Sequence, residues 1–332
     1  MIEFDQVTKR YPGGTVAVDD LSLRIPSNEI TVFVGPSGCG KTTSLRMINR
    51  TIERSSGVIS IDGEDINDRD PVTLRRGIGY VIQHAGLFPH RTVADNIATV
   101  PKLLGWDKRK ARATAMELIE RVGLDPKLAD RYPAQLSGGQ QQRVGVARAL
   151  AADPLIMLMD EPFSAVDPIV RHQLQEELLR LQRDIGKTIV FVTHDIDEAI
   201  KLGDNVAVLR VGGKLAQFAP PAELLANPAD DFVESFIGQD RGYRALTFLP
   251  AADLPLEAVP DELVIDADGK PAGWRVDGEV KPLGASFQRS DSLRAALDSV
   301  LTSPVGHGVC VDEGGKPVGV IGYAAFSGAL RR

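Results

Sequence analysis

Residues 30–34, 78–82, 155–159 and 188–192 form four nearly unbroken runs of apolar, β-branched and aromatic side chains. Runs without polar alternation fit strands covered on both faces, and so predict a mostly parallel sheet flanked by helices. Each run stops at a polar residue or a glycine, where the carboxyl ends of such strands present ligands. Upstream of Ile30, short apolar runs alternate with turn residues, as sheets do. Between about 89 and 151 the period changes: Ala111, Ala115, Leu118, Ile119 and Val122 recur at helical spacing until Gly123, which predicts a small helical insertion in the sheet domain. Leu174, Leu178 and Leu181 mark a further amphipathic helix between two strands.

Past about residue 240 the texture shifts again. Pro250, Pro255, Pro260, Pro271 and Pro282 punctuate short strand-like pieces such as Leu263-Val264-Ile265. A helix is predicted over about 292–301, then a hairpin pairing 308–311 with 318–321 across the turn 312–316. Residues 243–332 are therefore expected to form a separate small α+β domain.

Composition changes the picture only at its edges. A chain of 332 residues, 43% hydrophobic and 25% charged, has the balance of a globular protein of about two domains. With 38 Lys and Arg against 45 Asp and Glu the formal charge is −7, so no basic excess exists to displace counterions, and no nucleic-acid partner is expected. Cys39 and Cys310 cannot supply a disulfide framework or a four-thiolate metal site; a reducing, intracellular setting is expected. No apolar run approaches the roughly 18 residues that cross a bilayer. The opening Met1-Ile2-Glu3-Phe4-Asp5 lacks the basic and then apolar regions of a signal peptide. The expectation is a cytosolic chain that meets a membrane only through a partner.

Chemistry enters with Gly35-Pro36-Ser37-Gly38-Cys39-Gly40-Lys41-Thr42-Thr43, a G-x-x-x-x-G-K-T run directly after a predicted strand and before a helical pattern carrying Leu45 and Ile48. The glycines let consecutive backbone N–H groups turn inward around phosphate oxygens, and the helix start adds its positive dipole. Lys41 would contact the β- and γ-phosphates, and the Thr42 hydroxyl would bind Mg²⁺. The strand over 155–159 leads into Asp160-Glu161, two carboxylates that are costly at a strand end unless something cationic sits there. Asp160 suits a Mg²⁺ position and Glu161 suits polarising an attacking water; alone, the pair would read equally well as a solvated acidic turn. Leu136-Ser137-Gly138-Gly139-Gln140 is a helix start with Ser137 and Gln140 in capping-box spacing. Capping does not explain two successive glycines, which weaken a helix and bare N–H groups to an anion, so the segment can also hold a second phosphate site.

These motifs, taken in order with Gln83 after a strand, Ser164-Ala165-Val166-Asp167, and His194, resemble the ATP-binding subunit of an ABC transporter over about residues 1–240. The resemblance implies an α/β P-loop NTPase fold, with a mostly parallel sheet, an antiparallel β part and the helical insertion. Two copies would sandwich two ATP molecules, each lying between the phosphate loop of one copy and Ser137, Gly138 and Gly139 of the other. Tyr11, by itself an unremarkable turn tyrosine, would stack on adenine. Gln83 would sense Mg²⁺ and the lytic water, His194 would hold that water with Glu161 at the γ-phosphate, and Asp167 would act across the interface. Val166 stands where leucine is commoner, a conservative change.

The run from Val81 through Gln83, Leu87, Phe88 and Pro89 to Val93 resembles importer ATPases more than exporter ones. Together with Lys41 to Arg50 it is most similar to the osmoprotectant group, which imports glycine betaine, choline, carnitine or proline. The partners implied are a second copy, membrane permease subunits and, indirectly, a solute-binding protein. Leu87, Phe88 and Pro89 would offer an apolar surface to a short permease helix, or would pack within the helical insertion. An importer of another small solute, such as polar amino acids, is the near alternative, and a soluble ABC ATPase acting on ribosomes or DNA the distant one. In the tail, only about 286–330 resembles a CBS module, as helix, hairpin, then Tyr323-Ala324-Ala325-Phe326. Residues 243–285 would be at best a worn partner, leaving a regulatory and a dimer-bracing role equally open.

Overall fold

Alternation decides the first elements. In β1 (Ile2–Arg10) and β2 (Val16–Ile25) the side chains of Ile2, Phe4, Val18, Leu21, Leu23 and Ile25 are buried while their neighbours face outward, the pattern of antiparallel strands with one covered face. β3 (Ile30–Val34) is buried along its whole length and runs through the phosphate loop into α1 (Lys41–Ile48). β4 (Ser56–Ile61) and β5 (Glu64–Asp65) complete the antiparallel sheet, in the order β2-β1-β4-β5 with Phe4 opposite both Leu23 and Ile59. α2 (Pro71–Arg76), capped by Asp70, leads to β6 (Ile78–Val81). The helical insertion follows as α3 (Val93–Ile97), α4 (Thr99–Leu103), α5 (Lys108–Arg121) and α6 (Gly138–Leu150). On α5 the buried face is Ala111, Ala115, Leu118 and Ile119, as the spacing predicts.

The chain then returns to the sheet with β7 (Ile156–Asp160), α7 (Pro168–Ile185), β8 (Thr188–Val192), α8 (Ile196–Leu202), β9 (Asn205–Arg210) and β10 (Lys214–Ala219), and α9 (Pro221–Ala226) and α10 (Asp231–Ile237) follow. The six-stranded sheet has the order β10-β9-β3-β8-β7-β6, parallel throughout except for β10 against β9. Two strand bounds differ from the sequence reading. β6 ends at Val81 rather than Ile82, and β7 begins at Ile156 and takes in Asp160, leaving Leu155 71% exposed. One core joins the two sheets, with the rings of Phe4 and Phe33 meeting edge to face at 6.4 Å.

This computed structural model describes residues 1–83, 85–164 and 166–329, so His84, Ala165 and the chain from Leu330 onward lie outside the described residues. It divides at Phe236/Ile237 into two compact units. The second unit holds α11 (Arg241–Ala245), an antiparallel sheet of β11 (Leu263–Ile265), β12 (Pro271–Val276) and β13 (Glu279–Pro282), then β14 (Ser286–Gln288), α12 (Leu293–Thr302), β15 (Gly308–Val311), β16 (Pro317–Ile321) and α13 (Ala324–Ala329). β14 pairs parallel to β15, which pairs antiparallel to β16. Phe287, Leu293, Ala296, Val300, Cys310, Ile321 and Phe326 make the core of this strand–helix–hairpin–helix piece. Its expected helix starts behind Ser292, whose hydroxyl accepts from the Ala295 N–H. Among the described residues, 263–282 form strands and turns without a helix, so that stretch does not repeat the order of 286–329. Also among the described residues, no helix is long and apolar enough to cross a membrane.

Candidate functional site

The loop between β3 and α1 is shaped by close approaches that only glycine survives. A Cβ on Gly35 would fall on the Leu209 carbonyl, and one on Gly40 (φ 95°) would fall on the carbonyl of Ala17 in β2. With those side chains absent, the backbone wraps a cavity of about 220 Å³ lined by Ala17, residues 37–43 and Glu161. Lys41 is buried there, donating from Nζ to the carbonyls of Gly35 (2.7 Å) and Pro36 (3.1 Å). An ammonium held by neutral carbonyls of its own loop is ready to exchange them for phosphate oxygens, which bind it more strongly. Cys39 is fully buried with its sulfur 3.7 Å from Lys41 Nζ; burial pushes its thiol up, against the lowering pull of Lys41.

Asp160 is the last residue of β7 and only 6% exposed, rather than a loop residue. The Thr42 hydroxyl donates to its Oδ1 at 2.8 Å, and Arg46 Nη2 (3.4 Å) and the Tyr80 hydroxyl (3.5 Å) face Oδ2. Burial pushes the Tyr80 phenol up, which keeps it a donor toward that carboxylate. The next residue, Glu161, sits at φ 46° with its N–H donated to the Val192 carbonyl. Parallel β7 and β8 run level, Asp160 opposite Val192, so the residues just beyond both strands come out side by side. That register brings the Glu161 carboxylate within 3.2 Å of His194 Nδ1, although 32 residues separate them in the chain.

The remaining expected residues lie outside this cavity within the single chain. Tyr11 stands in the β1–β2 loop, 37% exposed with Lys9 Nζ 5.1 Å above its ring. Gln83 is exposed beyond the end of β6. The loop after it is tied to the helical insertion by Arg148 of α6, which donates to the carbonyls of Ala85 (2.6 Å) and Gly86 (2.7 Å). Ser137 and Gln140 form the expected capping box on α6, and Asp167 caps α7 by accepting from the Val170 N–H. Gly139 is demanded by packing, since a Cβ would lie 2.6 Å from Val170 Cγ1. Around Gly138 a Cβ would meet nothing within 4 Å. Among the described residues no group of three or more His, Cys, Asp or Glu could hold a metal by itself.

Sequence reasoning missed Arg46, Tyr80 and Ala17. Arg46 was findable, four positions after Thr42 and therefore on the same helix face. Tyr80 and Ala17 reach the site through the pairing of β6 with β7 and the approach of β2, neither of which local spacing reveals. Beyond Gln83, buried Asn96 fixes the loop 88–92 by accepting from the Phe88 N–H and donating to the carbonyls of Phe88, Arg91 and Thr92. Phe88, Arg91, Asp95, Thr99, Lys102 and Leu103 line an open cavity of about 520 Å³.

A family model described as ABC transporter matches residues 18–164. The chain is 46% identical to the osmoprotectant import ATP-binding protein OsmV of Salmonella typhimurium, over 97% of this chain and 94% of that protein. It is 58% identical over 241 residues to the glycine betaine/carnitine/choline transport ATP-binding protein OpuCA of Bacillus subtilis, a match covering 73% of this chain and 63% of that relative's length. Among solved structures, the dimeric post-hydrolysis state of the ATP-binding cassette MJ0796 bound to ADP and Pi is similar, with a TM-score of 0.60 at 34% identity over 67% of this chain and 99% of that one.

Proposed function

We propose that this chain, which belongs to the ATP-binding subunits of ABC transporters, binds and hydrolyses ATP between two copies of itself and so powers import of an osmoprotectant through a membrane permease. The observation that carries the reading is that Thr42 and Glu161 both line the phosphate-loop cavity, Thr42 donating to buried Asp160 behind it and Glu161 lying 3.2 Å from His194. The second half of the site is supplied in trans. Gly138 has room that its own chain does not use, and Ser137 and Asp167 cap helices whose starts lie beside each other at the Gly139–Val170 contact.

In this reading Tyr11 stacks on adenine, and the amides of residues 36–43 with Lys41 hold the phosphates. Thr42 and Asp160 fit Mg²⁺: a hydroxyl and a buried carboxylate, both hard oxygen donors, already 2.8 Å apart. The ion, when bound, supplies charge neutralisation between the phosphate oxygens. Glu161, oriented by His194, holds the water in line with the γ-phosphorus, and Gln83 reports on that site to the helical insertion. Little covalent work falls to the protein, so positioning and electrostatics supply the rate. Closure of the two copies on ATP, and reopening after phosphate leaves, is the stroke passed to the permease.

In this reading the surface of Leu87, Phe88 and Pro89 meets the permease, the open cavity that Phe88 borders supporting the choice, and the subunit works at the cytoplasmic side of a membrane. The solute is a quaternary amine such as glycine betaine, carnitine or choline, supported by what the relatives' names say they transport, with proline an alternative that rests on the sequence resemblance alone. The ATPase domain is assigned to residues 1–240 and the tail to 243–332, where the order from β14 to α13 supports a CBS-like element. Phosphate release in Mg-ATP tests the chemistry: Glu161→Gln abolishes turnover while ATP-driven dimers persist, and normal turnover in that variant removes the role assigned to Glu161. Co-purification with a multi-span membrane protein, together with ATP-dependent glycine betaine uptake, tests the transport reading; persistent purification with ribosomes rejects it.

A further inference from the structure

Behind His194 lies a buried polar cluster that the hydrolytic cycle above does not use. Thr193 is 2% exposed, and Glu198 in α8 and Gln175 in α7 are each 6% exposed. The Thr193 hydroxyl donates to Glu198 Oε2 at 2.6 Å and accepts from the Asp195 N–H at 3.0 Å, so it bridges the two sides of the turn carrying His194. Gln175 Nε2 donates to the other oxygen, Glu198 Oε1, at 3.1 Å. On the same face of α7, one turn earlier, Arg171 donates to the Val166 carbonyl, in the loop that precedes Asp167.

A buried carboxylate is expensive unless hydrogen bonds repay it. Burial pushes the Glu198 carboxyl up, against the lowering effect of its Thr193 and Gln175 bonds. Packing gives no reason for a charge there, since an apolar side chain would fill the same space at lower cost. What the carboxylate adds is direction: it accepts from two donors on two different elements and so fixes where residues 193–195 sit relative to α7.

We propose that Glu198 is a positioning residue for His194: clamped by Gln175 of α7, it grips the Thr193 hydroxyl and holds the turn that aims His194 at Glu161. Through Arg171, the same helix ties that turn to the loop before Asp167, so arrival of the second copy at Asp167 and placement of the lytic water share one rigid element. This rests on the ATPase reading above and extends it to residues that touch no substrate.

The test uses the full chain, with steady-state phosphate release and a thermal melt on each variant. Thr193→Val keeps the shape but removes both hydrogen bonds. It is expected to lower kcat between about tenfold and a hundredfold, the scale of a small misplacement of a catalytic group, with KM for ATP within about twofold of the parent because the phosphate loop is untouched. Thr193→Ser restores the hydroxyl and is expected to restore kcat. Glu198→Gln, which folds without a buried charge, can still accept from Thr193 while the Gln175 amide turns over, and is expected to stay near the parent. An unchanged kcat in a folded Thr193→Val, or a loss not rescued by serine, overturns the inference. A collapse of kcat in Glu198→Gln as deep as in Glu161→Gln also overturns it, by showing that the charge itself acts. Should the parent protein hydrolyse no ATP, the proposed function falls and this inference falls with it; parent turnover with an indifferent Thr193→Val sinks the inference alone.

Discussion

Gly138→Ala separates what the fold needs from what the assembly needs. Gly138 is the first residue of α6, with φ in the ordinary negative range, and a Cβ there meets no atom within 4 Å. Alanine therefore brings no strain, and it removes backbone freedom from the unfolded chain, a gain of about 0.5–1 kcal/mol. For a unit of this size that gain raises the melting midpoint by about 1–4 °C. Gly139→Ala supplies the contrast one residue later. Its Cβ would come 2.6 Å from Val170 Cγ1, overpacking that costs about 1–3 kcal/mol and lowers the midpoint. Calorimetry without nucleotide measures both. The same two substitutions are then placed in the Glu161→Gln background with Mg-ATP and followed by sedimentation. There the Gly138 methyl occupies the space assigned to the other copy's nucleotide, and dimer affinity is expected to fall at least about tenfold, or 1.4 kcal/mol. A lowered midpoint for Gly138→Ala, or a raised midpoint with dimerisation untouched, refutes the reasoning.

Thr42→Val leaves the buried Asp160 carboxylate without its 2.8 Å donor, and should cost about 1–3 kcal/mol in urea unfolding without nucleotide as well as abolishing Mg²⁺-dependent turnover. Cys39 and Cys310 are buried, and burial pushes both thiols up. Ellman's reagent at pH 8 should therefore find almost no reactive thiol in the native protein and two in guanidinium. Glu198→Gln carries a signed pH dependence. The parent carboxyl ionises above about pH 4.3 in the unfolded chain but resists ionising in the fold, so it costs stability as pH rises past that value. The variant should be more stable than the parent at neutral pH, with the difference shrinking to nothing below the unfolded-state value; an equal urea midpoint at neutral pH contradicts this.

What could be read along the chain is what short-range chemistry decides. The strand over Ile30–Val34 announces itself because both its faces are covered, and the start of α6 because Ser137 and Gln140 are three residues apart and cap each other. The phosphate loop was legible for a related reason: a glycine-rich turn between strand and helix has few other uses. Register between distant segments was not legible. The level ends of β7 and β8 that bring Glu161 to His194, the carbonyl of Ala17 that excludes a side chain at Gly40, and the Tyr80 hydroxyl on Asp160 all depend on pairings whose partners lie far apart in sequence. Asp160 was read as following the strand over 155–159, yet it is the last residue of β7. The strand swallows it because Thr42, Arg46 and Tyr80 all point donors at it. In the tail, prolines hinted at turns, yet Pro271 opens the middle strand β12 and Pro282 closes the exposed outer strand β13, a first-residue and an edge position where a missing N–H costs least.

Complementation between two dead copies tests the shared site most directly. Lys41→Ala disables the phosphate loop of a copy but leaves its Ser137 corner intact; Ser137→Arg does the reverse. Each variant alone should hydrolyse no ATP. Mixed, they form pairs in which the intact loop of one faces the intact corner of the other, and the account predicts phosphate release well above either variant alone. If the mixture stays as inactive as its components while dimers of the two variants are present, a nucleotide site built from two copies is contradicted.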